Sequence, residues 1–453
     1  MLNSQTNEEI NIGFSHIAGL NMSKESCGEL TLKKSFESQL IDKKREQKLI
    51  ARTIDRHIMP LFCVFYFIDF LDRTNIGNAS LGGIKNDLNL TSEQLSLAIS
   101  AFFITYLIFE VPSNIALKRS TAAFWLSFIM LVWGIVTLCM AFTKNFQSLL
   151  VCRLLLGAAE SGYVPGILYV LSKLYRPDEF SKRVAVLLCM TALSGVVSGP
   201  IAYGTSFLEG RKGLHGWQYL FIIEGVPTIC LGIISYIFLF DNIEQVSWLT
   251  DDQKAFHKLY IQVPEAHIHV DVRAIIKAIL DWKTIMFSLC YFLCGINLIS
   301  FQIFTPIIVN GFGFSVLNSQ LLSAPPSVML AAAIYLGGYL TDKHKNKRGI
   351  IIAIGFLITA VGFMLLRILE DRWAKYGSLF IIPFGVGVQC KKDKIAANVG
   401  WSAINFPILD IRAVAVAIII MFGSGGGVVA SYLYPFKDQP TYCRYHCLYK
   451  KET

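Results

Sequence analysis

The 453 residues are 54% hydrophobic, 13% aromatic and only 16% charged, where a soluble domain carries about a quarter charged residues. With a mean hydropathy of +0.51, this excludes a disordered chain, a fibrous repeat and an ordinary cytosolic enzyme, and fits a polytopic membrane protein. The net charge of +9 is dispersed between apolar runs, so no nucleic-acid partner is expected.

Residues 1–57 read as a cytosolic N-terminal tail, because the first 40 residues hold no signal-peptide core. A bilayer core about 30 Å thick needs about 20 apolar helical residues. Runs of that kind lie at 58–80, 95–117, 121–142, 146–172, 184–208 and 217–240, predicting an N-terminal six-helix bundle over 58–240. A hydrophilic central loop, 241–283, follows, and its Thr250-Asp251-Asp252-Gln253 is a capping box that starts a short surface helix. Further spans lie at 284–309, 320–340 and 349–366, then a broken tenth near 377–409 and an eleventh at 413–436, giving a C-terminal bundle over 284–436. Lys391-Lys392-Asp393-Lys394 interrupts the tenth span. Residues 437–453 form a polar tail where a twelfth span would stand, so about 11 spans are expected and the C-terminal half reads as incomplete. Most of the eleven cysteines sit in apolar runs, so no disulfide framework is expected. A metal site from Cys443, His446 and Cys447 is weighed and set aside.

Lys and Arg mark the cytosolic side. They crowd residues 41–57 and the loops holding Lys118 and Arg119, Lys173 to Arg183, and Lys343 to Arg348, whereas 310–319 has none. Asn78 and Asn89 head glycosylation sequons in the first external loop.

A charge at mid-bilayer costs about 2.5–3.5 kcal/mol on insertion scales, so such residues face a polar cavity or one another. Here they gather in the N-terminal half: Asp69, Asp72 and Arg73 in the first span, Glu110 in the second, Arg153 and Glu160 in the fourth, Glu224 in the sixth. At about 1.5 Å per residue, with the first span entering near Ile58 and the fourth leaving near Pro165 or Gly166, Asp72, Arg73 and Arg153 fall about 20 Å from the cytosolic face and Glu160 about 10 Å. Arg153 and Glu160 share one helix face, and Gly157 and Ser161 keep that face narrow. Ionised, Asp69, Asp72 and Glu160 outweigh Arg73 and Arg153 by one charge. The cluster then repels an anion until protonated, which points to proton-coupled anion binding. Glu110, before Pro112, reads as a gate or structural residue.

Four segments resemble signatures of one family. Leu71-Asp72-Arg73-Thr74-Asn75-Ile76-Gly77, Phe109-Glu110-Val111-Pro112-Ser113-Asn114, Arg153 to Gly162 and Phe221-Ile222-Ile223-Glu224-Gly225 are similar to the fungal allantoate permease-like proteins. Those form the anion:cation symporter branch of the major facilitator superfamily. The loop Gly338-Tyr339-Leu340-Thr341-Asp342-Lys343, with Lys347 and Arg348, resembles that superfamily's motif after the eighth span.

The resemblance implies an all-α membrane fold of two six-helix halves, a site between them and alternating access by rocking. It implies import of a small organic anion, such as allantoate, nicotinate or another vitamin-like acid, together with protons. By the same carry-over Asp72 and Glu160, with Asp69, are proton sites, and Arg73 and Arg153 clamp the anion, since guanidinium forks match carboxylates. Tyr66, Tyr163, Gln302 and Trp401 are further cavity candidates, and Asp342, Lys343 and Arg348 are gating residues beside Glu110. A monomer in the plasma membrane, touching lipid, with no cofactor and no enzymatic activity, completes the expectation. The alternatives are a proton-driven drug exporter, since Gly195-Val196-Val197-Ser198-Gly199-Pro200 resembles an antiporter motif, and a non-transporting sensor or inactive truncated transporter.

Overall fold

The computed structural model describes residues 26–261, 280–343, 348–389 and 409–433; side chains are described from residue 45, and within 338–348 and 409–417 only the backbone is. Every regular element among these residues is helical, as expected of backbone that has no water to satisfy it. Eight helical stretches among the described residues, the second to ninth of the predicted spans, are long and apolar enough to cross a membrane.

The first helix runs unbroken from Ser26 to Leu81, so the first apolar run continues a helix that begins well before residue 58. The second span (Ser92–Arg119) opens on a reciprocal capping box between Thr91 and Gln94, and Thr121 caps the third (Ala122–Met140). The fourth is two helices, Phe146–Glu160 and Tyr163–Leu174, parted at Ser161 and Gly162. The fifth is Pro177–Ser206 and the sixth Gly216–Phe238. In the central loop the predicted capping box is present: Gln253 N–H donates to Thr250 Oγ1 at 3.3 Å, opening the helix Asp251–Ile261. That helix lies against the first one, with Trp248 stacked on His57 at 4.4 Å. It buries His257, whose ring is held neutral by burial, its pKa lowered to about 4.

The seventh span is Trp282–Gly311. The eighth is broken at Ser323 into Val316–Leu322 and Ala324–Lys343, and the ninth is Arg348–Ile368. The tenth is described only as Arg372–Ser378 and Ile381–Gln389, and the eleventh as Leu409–Leu433. The charged interruption at 391–394 and the tail 437–453 lie outside the described residues.

Within the N-terminal half the third span packs along the sixth, the second along the fourth and the first along the fifth; in the C-terminal half the seventh meets the eleventh and the tenth meets the eighth and ninth. The halves join through three pairs: first with seventh, second with eleventh, fifth with eighth. Small residues set these approaches. A Cβ on Gly157 would stand 2.1 Å from Phe102 O, and one on Gly295 2.2 Å from Gly423 O. Outward faces are apolar and bare, as at Ile108, Ile233 and Ile237, which suits contact with lipid chains.

Candidate functional site

Arg73 is the centre of the site. Its Nη2 donates to both oxygens of Asp69 (3.1 and 3.3 Å) and to Glu160 Oε2 (3.4 Å), to which Nε also donates. The i, i+4 spacing on one helix places Asp69 beneath Arg73. Its guanidinium carbon lies 4.7 Å from the Phe70 ring, 5.0 Å from Tyr106 and 5.5 Å from Phe102, near enough for cation–π attraction. The Nη1 nitrogen takes part in none of these hydrogen bonds, and the side chain keeps 12% exposure.

That exposure opens into a cavity of about 330 Å³ between the halves. Tyr66, Phe70, Arg73 and Thr74 of the first span line it, with Tyr106, Glu110 and Asn114 of the second and Val164, Pro165 and Leu168 of the fourth. The other wall is Tyr291, Leu298 and Gln302 of the seventh span, Gln389 of the tenth, and Gly423 and Ser424 of the eleventh. The size suits a small molecule.

The cavity reaches toward the Lys- and Arg-rich ends of the helices. On the other side of Arg73 the halves touch: a Cβ on Gly77 would stand 2.1 Å from Ile303 O, and one on Gly199 2.2 Å from Gln320 O. The Gly195–Pro200 segment therefore serves close packing against the eighth span. The cavity is therefore closed on the side away from those basic ends.

A second group of charges lies behind the cavity wall, inside the N-terminal bundle. Asp72 Oδ2 accepts from Trp133 Nε1 and Thr228 Oγ1, both at 3.0 Å. Arg153, 1% exposed, donates from Nη2 to Asn75 Oδ1 at 3.2 Å, and Glu224 is buried near Asp72 and Arg153. The two arginines thus occupy adjacent places: Arg73 on the cavity, Arg153 behind it with Asn75. The depth reckoning above placed Glu160 too shallow, because the fourth span continues to Leu174. Fourteen residues at about 1.5 Å each put Glu160 level with Arg73, about 20 Å deep, where the two meet.

Among the other sequence candidates, Tyr66, Gln302 and Glu110 line the cavity. Tyr163 instead packs on Trp133, ring centroids 4.5 Å apart, with its hydroxyl toward Met130 Sδ. Trp401 lies outside the described residues, and Asp342, Lys343 and Arg348 stand at helix ends with their side chains outside the description. Sequence reasoning missed Tyr106, Gln389, Trp133 and Thr228, uncharged residues that no hydropathy argument singles out, and quoted Asn114 in a signature without giving it a role. Asn75 sat inside a quoted signature without a role.

On the outer side a smaller pocket of about 280 Å³ is lined by Asn78, Glu209, Trp217 and Gln320 among others. Asn78 is 3% exposed, so its sequon is buried. Beside the pocket His215 Nδ1 lies 2.7 Å from Glu209 and 3.5 Å from Asp87. The Glu209 hydrogen bond raises the His215 pKa against the opposing effect of burial, aided by the charges of Asp87 and Glu209. Among the described residues no group of His, Cys, Asp and Glu is arranged to hold a metal.

Comparison with known proteins agrees with this geometry. A profile of the Major Facilitator Superfamily matches residues 62–433. A protein named MFS transporter prlL, from a fungal species (strain NRRL 50135), is 33% identical over 82% of this chain and 76% of its own. A putative tartrate transporter of Agrobacterium vitis is 30% identical over 84% of this chain and 86% of its own. Among solved structures, a bacterial homologue of the human lysosomal transporter Spinster, inward-facing and unoccupied, superposes with a TM-score of 0.68 at 17% identity, covering 84% of this chain and 81% of that one.

Proposed function

The chain belongs to the Major Facilitator Superfamily and is a multi-pass membrane transporter of a small molecule, not an enzyme; from that premise we propose that it imports a small organic anion by proton symport with alternating access. The carrying observation is Arg73: one guanidinium, caged by three aromatic rings, faces the cavity between the halves with Nη1 unengaged. A guanidinium in a low-dielectric cavity is suited to a carboxylate. The name of the Agrobacterium vitis relatives, tartrate transporter, supports the same substrate class.

Charge arithmetic supports the coupling. Asp69, Asp72, Glu110, Glu160 and Glu224 are five buried carboxyl groups facing two buried guanidiniums, Arg73 and Arg153. All ionised, they sum to −3 and repel an anion. Protons taken up from the acidic side remove that repulsion, and their release inside restores it and expels the substrate. Asp69 and Glu160 are the proton sites that touch Arg73, and Asp72 is the one behind it. Arg153 sets the charge of the group without lining the cavity. Asp342, Lys343 and Arg348 latch the cytosolic helix ends when the cavity closes on that side.

We place the chain in the allantoate permease-like branch, as a monomer of the plasma membrane, on its four signature segments. Radiolabelled uptake into cells expressing the protein tests the reading, with a panel of carboxylates and ureides at external pH 5 and 8, with and without a protonophore. Uptake that rises at acidic pH and collapses with the protonophore is expected. Equal uptake at both pH values, net efflux of a cationic compound, or binding without flux would each overturn it.

A further inference from the structure

Two residues that line the central cavity carry buried hydrogen-bond acceptors without a partner in the protein. Glu110 is 5% exposed and its Oε2 has no hydrogen-bond partner. Gln389, on the opposite half, is 2% exposed and its Oε1 is likewise unpartnered. The neighbouring hydroxyl assigns the orientation of that amide. Thr359 Oγ1 spends its only proton on Gly355 O at 3.0 Å, so it accepts from Gln389 Nε2 at 2.8 Å. The Gln389 carbonyl oxygen is therefore the atom left over, on a residue that lines the same cavity as Glu110 and Arg73. Buried polar atoms are nearly always satisfied, and an orphan marks a missing partner.

We infer that Glu110 and Gln389 are specificity-determining residues that read N–H or O–H groups on the body of the substrate while Arg73 holds its carboxylate. This deepens the anion-import reading and rests on it. Arg73 offers donors only, and Glu110 and the Gln389 carbonyl offer acceptors only, so the cavity complements a molecule that accepts at one end and donates along its length. A bare alkyl carboxylate satisfies Arg73 but leaves both acceptors dry and unpaired. A hydroxy or ureido acid of the same charge and length satisfies all three. A site built to bond a donor rejects the analogue that lacks it far more strongly than an apolar pocket rejects a change in size.

The test compares matched pairs: tartrate against succinate, both dianions, and ureidoacetate against pentanoate, both monoanions. Each unlabelled acid competes for uptake of labelled tartrate or ureidoacetate into proteoliposomes of the full chain. The donor-bearing member is expected to compete better by about tenfold or more. Glu110→Gln and Gln389→Met should each shrink that ratio severalfold. The ratio is read within one preparation, so loss of expression or partial folding does not move it. Equal competition by both members of each pair in the wild type overturns the inference even if both variants are inactive. A normal wild-type ratio unchanged in both variants overturns the assignment to these two residues. If the wild type takes up none of the four acids, the anion-import reading itself fails, and that outcome is distinct from either of the others.

Discussion

The two halves differ in kind. Among the described residues, the buried carboxyl groups and guanidinium are all in the N-terminal half: Asp69, Asp72, Glu110, Arg153, Glu160 and Glu224, with Arg73 partly buried beside them. The buried polar residues of the C-terminal half, such as Ser300, Thr305, Gln320, Thr359 and Gln389, are all neutral. The lesson is a division of labour. Electrostatics and proton chemistry are concentrated in one bundle, where guanidiniums and carboxyls offset one another's burial. The other bundle supplies a wall of neutral groups that rocks against it. Changing a charge in the first bundle should alter coupling and anion recognition, and changing the facing bundle should alter shape and conformational balance.

The largest effect is expected at the one guanidinium on the cavity. Arg73→Lys keeps the charge but loses the fork shared between Asp69 and Glu160 and the aromatic stacking, so uptake should fall by at least about tenfold while surface expression is retained. Wild-type rates in that variant would break the assignment.

Next in size is the contact between the halves. Gly77→Val overpacks the outer seam against Ile303, which works against the inward-facing state by about 1–3 kcal/mol. Uptake should drop, and a cysteine placed at Leu317, on the outer pocket, should label faster with an impermeant thiol reagent. Gly204→Ala meets nothing within 4 Å and should leave both readouts unchanged.

Asp72→Asn comes third, because Asp72 lies behind the cavity wall. The hydrogen bonds from Trp133 and Thr228 survive in part, so the half-saturating substrate concentration should change little. The dependence of maximal rate on external pH should flatten. A changed affinity with a wild-type pH profile would place Asp72 in substrate binding instead.

The second to ninth spans were legible because burial in lipid leaves a long apolar run, and the charges were legible because they interrupt one. The meeting of Arg73 with Glu160 was half legible. The residues and their helix were apparent, but their depth depended on where the fourth span leaves the membrane, and reckoning from Pro165 or Gly166 instead of Leu174 set Glu160 too shallow. The separation of Arg153 from the cavity was not legible at all. It follows from which face of the fourth helix packs against Asn75 and which against Arg73, a matter of rotation that periodicity does not fix. Gln389 was invisible for a related reason: an amide in an apolar helix gains meaning only when its neighbour, Thr359, shows which end is unpaired.

The smallest expected effect lies outside the membrane. His215, bonded to Glu209 and close to Asp87, has its pKa raised by the Glu209 bond. Its stabilising contribution is complete below the ordinary histidine value, about 6.5, and is lost as pH climbs through the raised one. His215→Gln should therefore lower the thermal midpoint slightly at pH 5.5 and not at pH 8.5. An equal loss at both would show the ring acting by shape alone.

Proteoliposomes with an imposed proton gradient address the core of the account. Carboxylate entry should be driven by acid outside, abolished by dissipating the gradient, and lost in Arg73→Lys vesicles containing equal protein. Entry that ignores the gradient and survives that substitution would contradict it.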